Sequence, residues 1–253
     1  MGYRELAADL RRRINEGEFA VGDTLPKITD LMSEYGLARQ TVRDAIALLT
    51  DEGLVVSIRK RGTLIRGRTP VRIPLSRYQR VLAPGGTRGP WETATAEQGL
   101  DGHMTLVKVE HVAADDTMAA LLELAPGDRL VHRVRHAAIR PDDIVQLQLA
   151  WYPAALAEAA GLATAEKIEG GIYGALAAAG RRPATVSETV RARLPLDTEA
   201  TQLRIGGRIW VLAIERVTRD AEGRPLEALR VVAPADRVEL AYDDLPLAQE
   251  EKR

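Results

Sequence analysis

The sequence predicts an α+β chain of two domains, and three observations carry that expectation. Apolar residues recur at helical spacing through the first fifty positions and then give way to a short hairpin pattern. From His103 onward, strand-like runs alternate with short helical ones. The length, 253 residues, is enough for two ordinary domains with cores of their own. With no cysteine in the chain, disulfides, thiolate nucleophiles and Cys-based zinc sites are excluded together. No basic start is followed by an apolar run, and no stretch approaches the roughly 18 uncharged apolar residues of a membrane span, so a soluble cytoplasmic protein is expected.

Tyr3, Leu6, Ala7, Leu10 and Ile14 define a first helix, with Arg11, Arg12 and Arg13 toward its C-terminal end and Gly17 as its stop. Residues 21–26 carry turn chemistry. Ile28, Leu31, Met32 and Tyr35 form a second apolar face ended by Gly36; Val42, Ala45, Ile46 and Leu49 form a third ended by Gly53. Two short helices across a tight turn with Gly are a helix-turn-helix arrangement. Residues 54–58 and 63–65 read as a hairpin around Arg59, Lys60, Arg61 and Gly62, with Gly62 supplying a positive φ.

Net charge is −1, but its distribution is uneven: residues 1–69 hold twelve Lys/Arg against ten Asp/Glu, and nine Lys/Arg with no carboxylate lie between Gly53 and Trp91. Because screening limits reach to about 8 Å, such a local cationic stretch decides phosphate attraction. With Val42, Ala45, Ile46 and Leu49 inward, Arg39, Gln40, Thr41 and Arg43 face outward at the leading end of the third helix. Arg reads guanine O6/N7, Gln reads adenine, and Thr meets a thymine methyl or a phosphate. The competing reading pairs Arg39 and Arg43 with Asp44 or Asp51 on a solvated face. Arg59 to Arg61 suit the negative potential of a narrow minor groove.

Residues 3–66 resemble the winged helix-turn-helix domain of the GntR family of bacterial transcription regulators. The resemblance rests on Leu25-Pro26, Arg39-x-Thr41-Val42-Arg43-x-Ala45 through Leu49, Glu52-Gly53-Leu54 and Arg61-Gly62-Thr63. It implies DNA contacts from Lys27, Thr29, Arg39, Gln40, Thr41, Arg43, Arg59, Lys60, Arg61 and Gly62. Three departures stand out: Lys27-Ile28 replace the family's Ser-Glu, Ala38 replaces a Ser before the recognition helix, and Thr29 stands where many members carry Arg. An Ala at Ala38 removes a side-chain cap, a loss of about 1 kcal/mol of helix stability.

Residues 67–92, rich in Pro, Gly and Arg, read as linker and approach to the second domain. Strands are expected at 105–113, 129–139, 144–152, 184–194, 210–219 and 226–232, and helices at 117–124, 153–160, 172–179 and 198–203. Asp116 and Asp197 are the expected N-caps of two of these helices, and residues 220–225 a hairpin turn. This half resembles the effector-sensing (UTRA) domain of the HutC subfamily, which shares the chorismate lyase fold. The resemblance is carried by Leu124-x-Pro126-Gly127-Asp128, Arg133-x-Arg135, Trp151-Tyr152-Pro153, Ile172-Tyr173, Gly223-Arg224-Pro225-x-Glu227 and Asp236-Arg237. It implies an effector pocket using Arg133, Arg135, Gln148, Tyr173 and Glu227. Gln148 stands where a Glu is common, Gly171 where Ser or Thr is common, and Ala233 where an aromatic is common. Alternation puts Arg133 and Arg135 on one strand face and His132, Val134 and His136 on the other. Two Arg on one face receive an anion unless a neighbouring strand neutralises them, and the sequence leaves both readings open. Trp91 and Trp151 fit core better than pocket wall.

The expected domains are residues 1–68, a linker at 69–80, and an effector-binding and dimerisation domain at 81–246. No enzymatic constellation emerges. The four histidines have no carboxylate at ligand spacing, the paired aspartates suit turns and caps, and no phosphate loop or nucleophile elbow occurs. The chain therefore reads as a homodimeric regulator, most simply a repressor, of a palindromic operator in double-stranded DNA. A small molecule, with an anion suggested by the Arg pair, would modulate it, and no cofactor, metal or membrane is involved. Two alternatives are a constitutive DNA-binding repressor whose second domain only dimerises, and a lyase-like enzyme with a DNA tether.

Overall fold

The computed structural model describes residues 1–58, 60–74, 89–140, 143–168 and 170–243. The chain divides into two compact units. The first comprises Met1–Thr69, Ala192–Leu212 and Ala233–Arg237; the second comprises Pro70–Arg191, Ala213–Val232 and the chain from Val238.

In the first unit, α1 (Tyr3–Asn15), α2 (Ile28–Tyr35) and α3 (Arg39–Asp51) precede β1 (Val55–Ile58) and β2 (Gly62–Ile65). Leu6 and Leu10 of α1, Leu31 of α2, and Val42, Ala45 and Leu49 of α3 are fully buried in one core with Leu54, Val55 and Ile65. Gly36 ends α2 in the left-handed region (φ 64°), which only a residue without Cβ adopts without strain. The hairpin is antiparallel, pairing Val55 with Ile65 and Ile58 with Gly62. The turn at 21–26 is sewn onto it, because Leu25 N–H donates to the Thr63 carbonyl and Gly22 N–H to that of Ile65.

Arg66, directly after β2, is buried and donates through both terminal nitrogens to Asp236, at 2.6 and 3.0 Å. Gly53 has no room for a Cβ: its φ is +74°, and an added carbon would lie 2.9 Å from Arg66 Nη1. The Gly53 carbonyl also accepts from that nitrogen. The expected stop after the third helix thus doubles as the seat of a buried guanidinium.

The second unit is built on a six-stranded sheet ordered β4-β5-β6-β9-β8-β7. Its strands are β4 (His103–Ala113), β5 (Arg129–Ala138), β6 (Ile144–Pro153), β7 (Pro183–Arg193), β8 (Val211–Asp220) and β9 (Pro225–Pro234), the last three running into the first unit. The β4/β5, β5/β6 and β6/β9 pairs are antiparallel. Helices α4 (Pro90–Ala96), α5 (Asp116–Leu122), α6 (Ala154–Ala159) and α7 (Gly171–Ala178) accompany the sheet, and α8 (Asp197–Leu203) belongs to the first unit. All six anticipated strands and four anticipated helices form. Val131, Tyr152, Leu176, Leu226 and Leu229 fill the core between sheet and helices.

Both expected N-caps need correction. Asp115, with extended backbone, accepts from Met118 N–H at 2.7 Å and caps α5, while Asp116 sits inside the first turn and serves only the helix dipole. At α8 the cap position is Leu196, and Glu199 reaches back to its N–H at 2.8 Å; Asp197 is already helical. One strand pair was not anticipated. β3 (Val71–Pro74), within the stretch read as linker, pairs in parallel with β10 (Val238–Ala241) in the second unit.

Removing the carboxylate of Asp236 leaves the buried Arg66 without its counter-charge. Asp236→Ala should therefore destabilise the first unit by about 2–3 kcal/mol. The check is a urea midpoint followed by circular dichroism, and an unchanged midpoint would show the pair to be inert.

Candidate functional site

α3 divides cleanly. Val42, Ala45, Ile46 and Leu49 are buried, while Arg39, Gln40 and Arg43 are exposed and Thr41 is half-buried. The helix begins at Arg39 without a side-chain cap, as an alanine at Ala38 requires. The solvated-face alternative does not hold: Asp44 accepts from Gln40 Nε2 at 2.8 Å and Asp51 lies 3.6 Å from Arg208, so neither carboxylate pairs with Arg39 or Arg43. Gln40 is thereby held along the helix in this conformation. Lys27 and Thr29, at the start of α2, are exposed, and Thr29 Oγ1 donates to Asp30. In the hairpin loop Lys60, Arg61 and Gly62 are exposed, with φ +67° at Lys60 and +98° at Gly62. Gly62 thus has the positive φ expected of it, and Lys60 shares it. Arg59 lies outside the described residues.

The second unit holds a cavity of about 480 Å³, within the roughly 300–1,000 Å³ range of small-molecule sites. Arg133, Arg135, Gln148, Tyr173 and Glu227 all line it. Strand alternation brings Arg133 and Arg135 of β5 to it together; on the opposite face His132 stacks on Trp151 at 4.6 Å. Arg133 is 2% exposed, and its Nη1 donates to the carbonyls of Leu162 and Thr164. Burial holds its guanidinium below the ordinary arginine range. The Nε atoms of both arginines are buried without a partner. No carboxylate among the described residues lies within ion-pair distance of either one, so the neutralised-pair alternative is not what forms.

Glu227, 1% exposed on β9, accepts from Tyr152 Oη and, at 3.2 Å, from Thr218 Oγ1. Tyr173 of α7 shares a hydrogen bond with the same Thr218, at 3.1 Å. Burial first, and then the nearby Glu227 charge, push both tyrosine hydroxyls up. Both therefore stay protonated, and Tyr152 serves as a donor. Gln148 Nε2 donates to Gln146 Oε1 at 3.1 Å.

Sequence reasoning missed Arg216 and Gln146 as lining residues, and it underrated Trp91. Arg216 points into the cavity from β8 while pairing with Glu188 at 2.7 Å. Trp91 is core and wall at once, buried, donating from its indole to the Ala138 carbonyl and lining the cavity. The lining apolar positions of β8 and β9, Ile214, Leu229 and Val231, were legible only as strand residues. Among the described residues no His/Asp/Glu cluster could hold a metal, and no helix is long and apolar enough to cross a membrane.

A three-helix unit with a basic hairpin, joined to an α+β unit with a cavity, defines a class of DNA-binding regulators with a sensor domain. Residues 2–65 match the bacterial regulatory proteins of the gntR family, and residues 97–239 match the UTRA domain. The chain is 32% identical over 244 residues to the HTH-type transcriptional regulator RB1450 of Rhizobium meliloti, covering 95% of this chain and 94% of that one. It is 30% identical over 156 residues to the mannosyl-D-glycerate transport/metabolism system repressor MngR of Escherichia coli, covering 61% and 59%. Among solved structures, a GntR-family transcriptional regulator shares 28% identity with a TM-score of 0.61, over 97% of this chain and 98% of that one. PhnF from Mycobacterium smegmatis shares the fold, with a TM-score of 0.60 at 24% identity over 97% and 99%. The chain belongs to the GntR family, in the group of HutC, PhnF and MngR, and is a transcriptional regulator with a DNA-binding domain and a UTRA effector domain. Its named relatives are regulators rather than enzymes.

The raised tyrosine values give a pH test. A native value above the unfolded one contributes stability that is complete below the unfolded value, about pH 10, and is lost as pH rises through the native value. Tyr152→Phe should therefore give the same absorbance titration as wild type up to about pH 10. A tyrosinate signal in that range that the substitution removes would contradict the buried, carboxylate-facing position of Tyr152.

Proposed function

We propose that the protein is a ligand-responsive repressor that acts in the cytoplasm, as a homodimer, on a palindromic operator. Arg39, Gln40, Thr41 and Arg43 enter the major groove, with Lys27 and Thr29 at its edge on phosphate. Arg59, Lys60, Arg61 and Gly62 address the minor groove. The small molecule sits in the cavity of the second unit against Arg133, Arg135, Gln148, Tyr173 and Glu227, and its occupancy changes DNA affinity.

The observation that carries the reading is that Arg133 and Arg135, on one face of β5 and without a carboxylate partner among the described residues, both line the cavity. Two arginines on one strand face form a receptor for an anionic group. The domain limits 1–68, 69–80 and 81–246 serve as the working division. The signal travels through residues 67–80, whose described part favours this: Ile73 of β3 and Leu240 of its partner β10 both line the cavity. A ligand that touches them differently in two arrangements shifts the balance by that difference and no more.

Selection of bound sequences from random duplexes tests the DNA half. A palindrome with fixed half-site spacing is expected, and an asymmetric single site would overturn the dimer. On that operator, Arg43→Ala should weaken binding by about 1–3 kcal/mol in an anisotropy titration. Unchanged affinity would remove Arg43 from the groove. An effector supplied at 100 times its Kd should stabilise the protein by about 2.7 kcal/mol.

A further inference from the structure

α3 and the hairpin share one core, so their relative position is fixed. With α3 in the major groove and the hairpin in the adjacent minor groove, the sugar–phosphate strand that separates those grooves must cross the surface between them. A groove lies on that surface. Arg43, Ala47, Thr50 and Asp51 of α3 line it together with Ser57 and Thr63 of the hairpin. Small side chains there leave room for a backbone strand, and the Ser57 and Thr63 hydroxyls, 3.4 Å apart, offer it donors.

Two further lining residues, Gly206 and Gly207, come from far along the chain, inside the stretch that matches the UTRA domain. They open a tight turn in which Ile209 N–H donates to the Gly206 carbonyl at 3.1 Å. Ile205 and Ile209 anchor the turn by burial. Gly206 approaches the last turn of α3 so closely that an added Cβ would lie 2.7 Å from the Thr50 carbonyl oxygen. The turn is thus seated within the first unit. Its remaining member, Arg208, projects outward: its side chain is 81% exposed, with Nε 3.6 Å from Asp51 Oδ2.

A solvated pair of that kind contributes little to stability, so holding the fold does not account for Arg208. Charge does. Asp51 is a carboxylate in the groove lining, where it would repel a phosphate strand. Arg208 offsets that charge at the same place, and its planar fork has more donors than one distant carboxylate engages.

We propose that Arg208 contacts the DNA backbone, meeting the phosphate strand where it passes from the α3 groove to the hairpin groove. The proposal rests on the reading of α3 and the hairpin as major- and minor-groove elements. A phosphate contact positions the duplex and reads no sequence.

The test is an anisotropy titration of full-length protein on the selected operator and on a scrambled duplex, across a range of salt. Arg208→Ala should weaken both by the same factor, roughly eightfold at about 0.1 M salt, the effect of one released counterion. It should also flatten the salt slope by about 0.9, and Arg208→Lys should restore the slope. In an Asp51→Asn background Arg208→Ala should flatten the slope again, which mere screening of Asp51 would not produce. An unchanged urea midpoint for Arg208→Ala shows that the variant is folded. Unchanged affinity, a loss confined to the operator, or no slope change in the Asp51→Asn background would each overturn the contact. Tighter binding by Arg208→Ala would overturn it too, and would make the turn an obstacle to DNA. If Arg43→Ala weakens operator binding while Arg208→Ala changes nothing, the groove assignment stands and the contact alone falls. If neither substitution matters, or wild type binds no duplex, both fall.

Discussion

The burial of one stripe of α3 governs what the first unit can do. Val42, Ala45, Ile46 and Leu49 are locked into a core shared with α1 and α2. The helix therefore has no freedom to rotate about its axis, and each buried aliphatic side chain contributes about 1.5–3 kcal/mol to holding that orientation. Arg39, Gln40 and Arg43 are displayed because their neighbours on the opposite face are consumed. The hairpin is fixed by the same core through Leu54, Val55 and Ile65, so helix and loop are presented by one rigid body. Readout of a duplex depends on such prior positioning, since the hydrogen bonds and ion pairs formed with DNA must outweigh the entropy of ordering the side chains that make them.

The second unit applies the same economy to a ligand. β5 turns its arginines to the cavity and its His132 to a stack on Trp151, so a single strand serves wall and core. Glu227 is held in the cavity wall by two hydroxyl donors, Tyr152 and Thr218. The strands bearing Ile73, Leu229 and Leu240 lead directly to the segments that bear Arg66 and Asp236. Changes in the cavity wall and in that buried ion pair are thus a few residues apart along the chain.

Legibility followed locality. The stripe of α3, the glycine stops, the hairpin and the six sheet strands are written in periods of 3.6 and 2 and in turn residues, all within a few positions of one another. Arg133 and Arg135 fall on one face as expected because alternation is a local rule, whereas the lining role of Gln148, Tyr173 and Glu227 followed only from resemblance. The β3/β10 pair was not legible. Val71 and Val238 meet across most of the chain, and each strand is four residues long, too short for a period to declare itself. The caps failed for a finer reason: Asp115 and Asp116 are chemically equal, and only the backbone angle at the turn decides which carboxylate reaches Met118 N–H. Arg216 was missed as lining, and Trp91 was read as core rather than wall, because each also has a structural partner, and side-chain chemistry alone does not tell a wall from a core.

The central claim is that the cationic end of α3 and its hairpin grip a duplex through phosphate and base together. The most direct measurement is anisotropy of the full-length protein on the selected operator and on a scrambled duplex, across a range of salt. Binding to both should weaken linearly with the logarithm of salt, with a slope of about −0.9 per phosphate neutralised, and the operator should keep an advantage of at least about a thousandfold throughout. No binding to either duplex at low ionic strength, or equal affinity for the two, would contradict it.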